Sequence, residues 1–204
     1  GDGYTIIKEN QENRYKLVLN GIDARSIRLK EGIWTVELKN SNTLSGGSTG
    51  FKIERGVSSV TFTGNGDLNI SATENGFIQS SDATIALSEG GKITSVSTND
   101  KVRGGGYRVY EGSTLNINSG TLKAQGAQYG LVIAQSNGEI HMSGGEVITK
   151  GSVDAFEQSG QNTLFDLTGG IITCNGRIRQ SSPGNKIIVN GGKMIANGNL
   201  LIVY

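Results

Sequence analysis

Six side chains crowd two short stretches of this chain. Arg103, Tyr107, Arg108 and Tyr110 lie in STNDKVRGGGYRVYEG (97–112), and Arg177 and Arg179 lie in NGRIRQ (175–180). Guanidinium groups grip carboxylates through paired hydrogen bonds, and tyrosine rings stack on the flat faces of sugars. Together they suit an acidic polysaccharide. The same set also suits a contact with another protein, or a solvated face with no specific ligand, since scattered apolar groups are ordinary on surfaces.

Other chemistry is hard to assemble. A Ser-His-Asp triad would depend on His141, the one histidine. His141 stands between Ile140 and Met142, so alternation turns it to solvent. Its one candidate partner is then Asp166, in the equivalent position of the next repeat, which suits a surface ion contact better than a catalytic dyad. The aspartates Asp2, Asp23, Asp67, Asp82, Asp100, Asp154 and Asp166 fall at unrelated repeat phases. Calcium needs six to eight converging oxygens, which these do not offer. Glu111 and Glu157 lie two repeats apart, roughly 10 Å, with nothing to mark them as a glycosidase pair. One cysteine, Cys174, cannot form an internal disulfide, and its small inward position reads as a packed thiol. No catalytic residue, metal ligand or cofactor is therefore assigned.

The elements that must position the Arg and Tyr groups are written as a repeat. NSGTLKA (118–124), SGGEVIT (143–149), TGGIITC (168–174) and NGGKMIA (190–196) are anchored on Gly120, Gly145, Gly170 and Gly192, at steps of 25, 25 and 22 residues. Inside each copy, apolar residues alternate with polar ones. A fixed step of this length with period-two alternation predicts a coiled β-solenoid. Carried backwards through Gly91, Gly66 and Gly32, the register predicts one interior column: Trp34, Leu68, Ile93, Leu122, Val147, Ile172, Met194. A third strand per coil precedes Gln79, Gln135, Gln158 and Gln180, with Phe77, Ile133, Phe156 and Ile178 two residues before each. Val109 and Glu111 fill those slots in the coil between. The four amides read as a structural ladder along one corner. Residues 4–22 hold two alternating segments around a polar turn, a hairpin or irregular coil that caps the solenoid. Residues 200–204 (LLIVY) start a further coil.

Composition agrees. Glycine supplies 32 of 204 residues, and solenoid corners need it where the backbone turns left-handed. The formal net charge is +1 with no basic block, so a general nucleic-acid surface has no electrostatic footprint. The longest apolar runs are a few residues, too short to span a membrane as helices.

The run WTVELKNSNTLSG (34–46), followed by INSGTLKAQG and MSGGEVITKG, resembles the Gly-rich β-helix repeats of bacterial surface and secreted proteins. These share their shape with the pectate-lyase-like superfamily, which includes non-catalytic domains that bind plant polysaccharide. The resemblance covers most of residues 32–198. It implies an all-β, right-handed parallel β-helix of about seven coils, three short strands each, at an extracellular or cell-surface location. The expected organisation is one domain over 1–204: a cap in 1–25, coils in 26–199 and the start of another coil in 200–204. The expected function is a non-catalytic interaction module, for carbohydrate or adhesion. The competing readings are a structural stalk, associating end to end or laterally, and a polysaccharide lyase.

Overall fold

Thr121–Gly126 (TLKAQG) and Glu146–Gly151 (EVITKG) alternate in burial as they alternate in polarity, as a strand does when one face lies on a core. Each begins just after an anchoring glycine. Gly120, Gly145, Gly170 and Gly192 have φ of 82°, 72°, 79° and 68°, left-handed values that disfavour a Cβ. A Cβ on Gly145, Gly170 or Gly192 would also lie 2.6 Å from the carbonyl oxygen of the anchor one coil earlier. The corner therefore demands glycine twice over, for torsion and for coil-to-coil approach.

The computed structural model describes residues 3–101, 104–110 and 112–202. Among these there is no helix, and the chain winds as a parallel β-solenoid of about seven turns. One wall is a nine-stranded sheet that runs from the N-terminal hairpin to Lys186–Val189. A fourteen-stranded sheet folds round a bend to make the other two walls. Its second-wall strands include Lys92–Ser97, Thr121–Gly126, Glu146–Gly151 and Ile171–Asn175. Its third-wall strands include Gly105–Val109, Tyr129–Ile133, Asp154–Gln158 and Ile178–Gln180. In two coils, Ser41–Ile53 and Asp67–Gln79, both walls belong to one unbroken 13-residue strand. The cap is a hairpin: β1 (Gly3–Lys8) pairs antiparallel with β2 (Arg14–Asn20), and β2 then pairs parallel with Gly32–Lys39.

Stacked columns fill the interior. Leu68, Ile93, Leu122, Val147, Ile172 and Met194 lie in one register column, and all but Met194 are fully buried. Trp34 does not join it. It belongs to the first wall, paired with Tyr15 and Val60, half-buried and stacked on the Tyr15 ring at 4.8 Å. Asn42 holds the seventh place instead. The anchor of that coil is Asn40, at φ 52°, and not Gly32; asparagine is one of the few residues other than glycine that tolerates this region. Asn42 is fully buried, yet its amide donates to the carbonyls of Lys39 and Asp67 and accepts from the Ile22 amide. That makes a polar side chain admissible in the core.

On the third wall, Phe51, Phe77, Tyr107, Leu131, Phe156 and Ile178 form one inward column. Ile53, Gln79, Val109, Ile133, Gln158 and Gln180 form the next. The expected amide column is thus corrected in one coil, where Ile133 occupies the seat and Gln135 is exposed at the corner beyond it. Val109 sits in the Gln column and Tyr107 in the Phe column, two residues earlier than the expected Glu111 and Val109. Glu111 itself lies outside the described residues. The ladder is real where coils follow directly: Gln180 Nε2 donates to Gln158 Oε1 at 2.8 Å, and Gln158 Nε2 donates to the Lys186 carbonyl.

Candidate functional site

The outer face of the third wall gathers four of the six residues singled out above. Its central register column reads Lys52, Ile78, Arg108, Val132, Glu157, Arg179. One position further towards the corner, Tyr110 precedes Ala134, Ser159 and Ser181, by continuation of the same pairings. The Arg108 guanidinium lies 5.2 Å from the centroid of the Tyr110 ring, a cation–π arrangement. Arg108 keeps only 8% of its surface exposed, because its stem lies along the wall. Its Cγ and the Val132 Cγ2 close over the same point beside Gly105. Tyr110 is half-buried.

Tyr107 is corrected. It is fully buried in the interior, its ring stacked on Phe77 at 4.4 Å and its hydroxyl donating to Gln79 Oε1 at 2.8 Å. Burial raises its pKa well above the usual phenol range. It serves the core column and is not reachable from outside. Arg103 lies outside the described residues.

Arg177 and Arg179 are on the outer face but already engaged. The Arg177 Nε donates to Asp154 Oδ1, and this bond raises the guanidinium pKa above its ordinary value. Arg179 stands 4.0 Å from Asp154 and 3.9 Å from Glu157. Both carboxylates are buried, at 0% and 1% exposure, although they arise on an outer wall. The arginine side chains cover them. Burying a carboxylate without such a partner is costly. The sequence reading had no place for this pair. Continued from Phe156–Ile178, the register sets Arg177 opposite Ala155 and Asp154 opposite Gly176, so the two meet diagonally between adjacent coils, an encounter that the coil step alone does not announce.

Next to Tyr110 runs a shallow cleft at the corner between the third and first walls. Ala134, Gln135, Ser136, Ser159, Gly160, Gln161 and Ser182 line it, and none carries a charge. The corner is held by left-handed Asn137 and Asn162, at φ 59° and 55°, and by Gly184 at 76°. Ser182 Oγ donates to the Ser159 carbonyl at 2.7 Å, and Ser159 Oγ donates to the Ile133 carbonyl at 3.4 Å.

His141 faces solvent between buried Ile140 and Met142, as alternation requires. Asp166 is its register neighbour one coil on, with Oδ2 3.7 Å from Nδ1. Glu139, two residues back on the same face, takes Nε2 at 2.8 Å and is the partner that the sequence reading missed. Cys174 is buried and free. Among the described residues no group of three His, Cys, Asp or Glu side chains is placed to hold a metal ion, and no helix is long and apolar enough to cross a membrane. No protein-family model, curated protein or solved structure matches the chain.

Proposed function

We propose that this chain is a non-catalytic interaction module of a bacterial surface or secreted protein, and that it binds carbohydrate on the outer face of its third wall. The pairing of Arg108 with the half-buried ring of Tyr110, on a wall whose backbone is hydrogen-bonded to the coils before and after, carries this reading. An aromatic ring fixed on a stiff sheet loses little entropy when it stacks on a sugar, which is how a shallow site gains affinity. The likeness of WTVELKNSNTLSG and its repeats to the pectate-lyase-like superfamily supports the same class and the extracellular setting.

A glycan array tests it. Retention of a polysaccharide by the wild type, lost in Tyr110→Ala and weakened in Arg108→Ala with both variants folded, is the expected result. Release of unsaturated products from polygalacturonate in the presence of calcium would replace the module with a lyase.

A second reading has its own observation. Tyr4, Ile6 and Ile7 on β1, and Leu200 and Ile202 in the last strand, are exposed apolar residues at opposite ends of the core. A pocket of about 570 Å³ beneath β1, lined by Leu17, Leu19, Ile27 and Trp34, opens the interior at the first end. Surfaces of this kind suit a stalk whose ends meet neighbours. End-to-end association in solution, with no glycan retained at millimolar concentration, would favour it.

A further inference from the structure

We infer that the ligand-bearing surface is the corner cleft over Gly160 and that it takes an uncharged glycan rather than an acidic one. This rests on the carbohydrate reading above and narrows it.

The argument begins with Gly160. A Cβ there would lie 2.1 Å from the carbonyl carbon and oxygen of Gln135, so no side chain fits. Its register neighbours one coil before and after, by continuation from Ile133–Gln158–Gln180, are Gln135 and Ser182. The column at this corner therefore reads amide, bare backbone, hydroxyl: the Gln135 and Ser136 backbone fills the place of the middle side chain, and all three residues line the cleft. Gln161 stands at its side, exposed like Gln135. Among the described residues no hydrogen bond engages either amide side chain, in contrast to the spent amides of Gln79, Gln158 and Gln180 in the interior. Ser159 and Ser182 donate their hydroxyl hydrogens to backbone carbonyls, which leaves their oxygens as acceptors. Amides that both donate and accept, beside hydroxyl acceptors, match the hydroxyl groups of a neutral sugar.

The charge distribution argues against an acidic chain. The lining of the cleft holds no cation. Of the arginines on the same wall, Arg177 and Arg179 lie against Asp154 and Glu157, and Arg108 is 8% exposed with its guanidinium over the Tyr110 ring. An incoming carboxylate would have to displace a buried one, leaving it without its partner. Tyr110 precedes Ala134, a residue of the lining, in its column by continuation of the pairing, and Ala134 lies one coil before Gly160's neighbours Ser159 and Gln161. From Gln135 to Ser182 the cleft crosses two coil spacings, about 10 Å, along the solenoid axis. That length suits two or three residues of an extended chain running parallel to the axis, with Tyr110 at one end.

Affinity electrophoresis separates the possibilities, with a neutral galactomannan and a mixed-linkage glucan in one set of gels and polygalacturonate in another. Retardation by a neutral polymer is expected, changed less than twofold between 50 and 500 mM NaCl (about one and a half to two and a half decades would be lost if two or three phosphate-like charges were neutralised). Gln161→Ala should weaken it about tenfold while thermal melting stays at the wild-type temperature. Retention of polygalacturonate that collapses with salt would overturn the uncharged assignment and leave the carbohydrate reading standing. Neutral binding indifferent to both Gln161→Ala and Gln135→Ala would overturn the cleft. If none of the three polymers is retained, this inference and the carbohydrate reading fall together.

Discussion

Gly145→Ala and Gly46→Ala make a matched pair that measures how tightly successive coils meet. Both glycines are left-handed, at φ 72° and 81°. Around a Cβ at Gly46 there is nothing within 4 Å, whereas a Cβ at Gly145 would lie 2.6 Å from the Gly120 carbonyl oxygen and 3.1 Å from the Ser119 carbonyl carbon. Alanine in the left-handed region costs about 1–2 kcal/mol, partly offset by a less disordered unfolded chain, so Gly46→Ala should destabilise by about 1 kcal/mol. At Gly145 the same torsional term applies, and the backbone must also yield by several tenths of an ångström inside a hydrogen-bonded ladder. Forced overpacking of this kind adds about 1–3 kcal/mol, giving about 2–4 kcal/mol in all. Urea unfolding followed by far-ultraviolet circular dichroism reads the difference as a shift in midpoint. Because solenoids unfold by coupled neighbouring repeats, the midpoint is the safer quantity than an extrapolated free energy. Equal midpoints for the two variants would mean that Gly145 does not sit against the preceding coil, and the stacking argument would fail at its anchor.

Two further outcomes follow from the interior. Gln180→Ala removes the donor to Gln158 Oε1 and should destabilise by about 1–3 kcal/mol, while a Gln158→Met/Gln180→Met pair should recover much of that, since both partners leave together. A double variant worse than the sum of the singles would refute the ladder. Burial pushes the Cys174 thiol up to about 11, against a hydrogen bond with Thr149 that pulls it down. The native state thus holds this proton more tightly than the unfolded chain, so its contribution to stability is whole below pH 9.0 and is lost as pH rises to about 11. Cys174→Ala should flatten part of that alkaline decline, with the remainder belonging to Tyr107, whose phenol burial also raises. An aromatic disulfide reagent should label wild-type Cys174 only as the chain unfolds, and labelling of the folded protein at the rate of a free thiol would contradict this placement.

The coil step and the inward rows from Leu68 to Met194 were legible because each strand has one face on the core, and period-two alternation records that directly. Gly120, Gly145, Gly170 and Gly192 marked the corners for the same local reason, a backbone torsion that few other residues accept. Asn40 escaped notice as an anchor because it does glycine's work with a different letter. Its omission moved Trp34 into the wrong wall. The misplacement of Gln135 has another cause. Alternation separates inside from outside, and a slip of two residues keeps every side chain on its own side. Hydrophobic pattern alone could not tell whether Ile133 or Gln135 took the amide seat, nor that Tyr107 and Val109 lead the expected Val109 and Glu111 by two.

Within one coil, then, the order of residues was enough to say that this chain is a β-solenoid, which letters turn inward and where its corners lie, since each of those properties is set by neighbours a few positions away. Which outer side chains meet across coils was decided only by the folded register: Asp154 taking Arg177, Glu157 lying beside Arg179, and Gln135, Gly160 and Ser182 lining one corner cleft. Those encounters join residues roughly a coil apart, and along this wall the coil step varies from 22 to 30 residues. Recognition chemistry on this molecule depends on that offset, and no local pattern carries it.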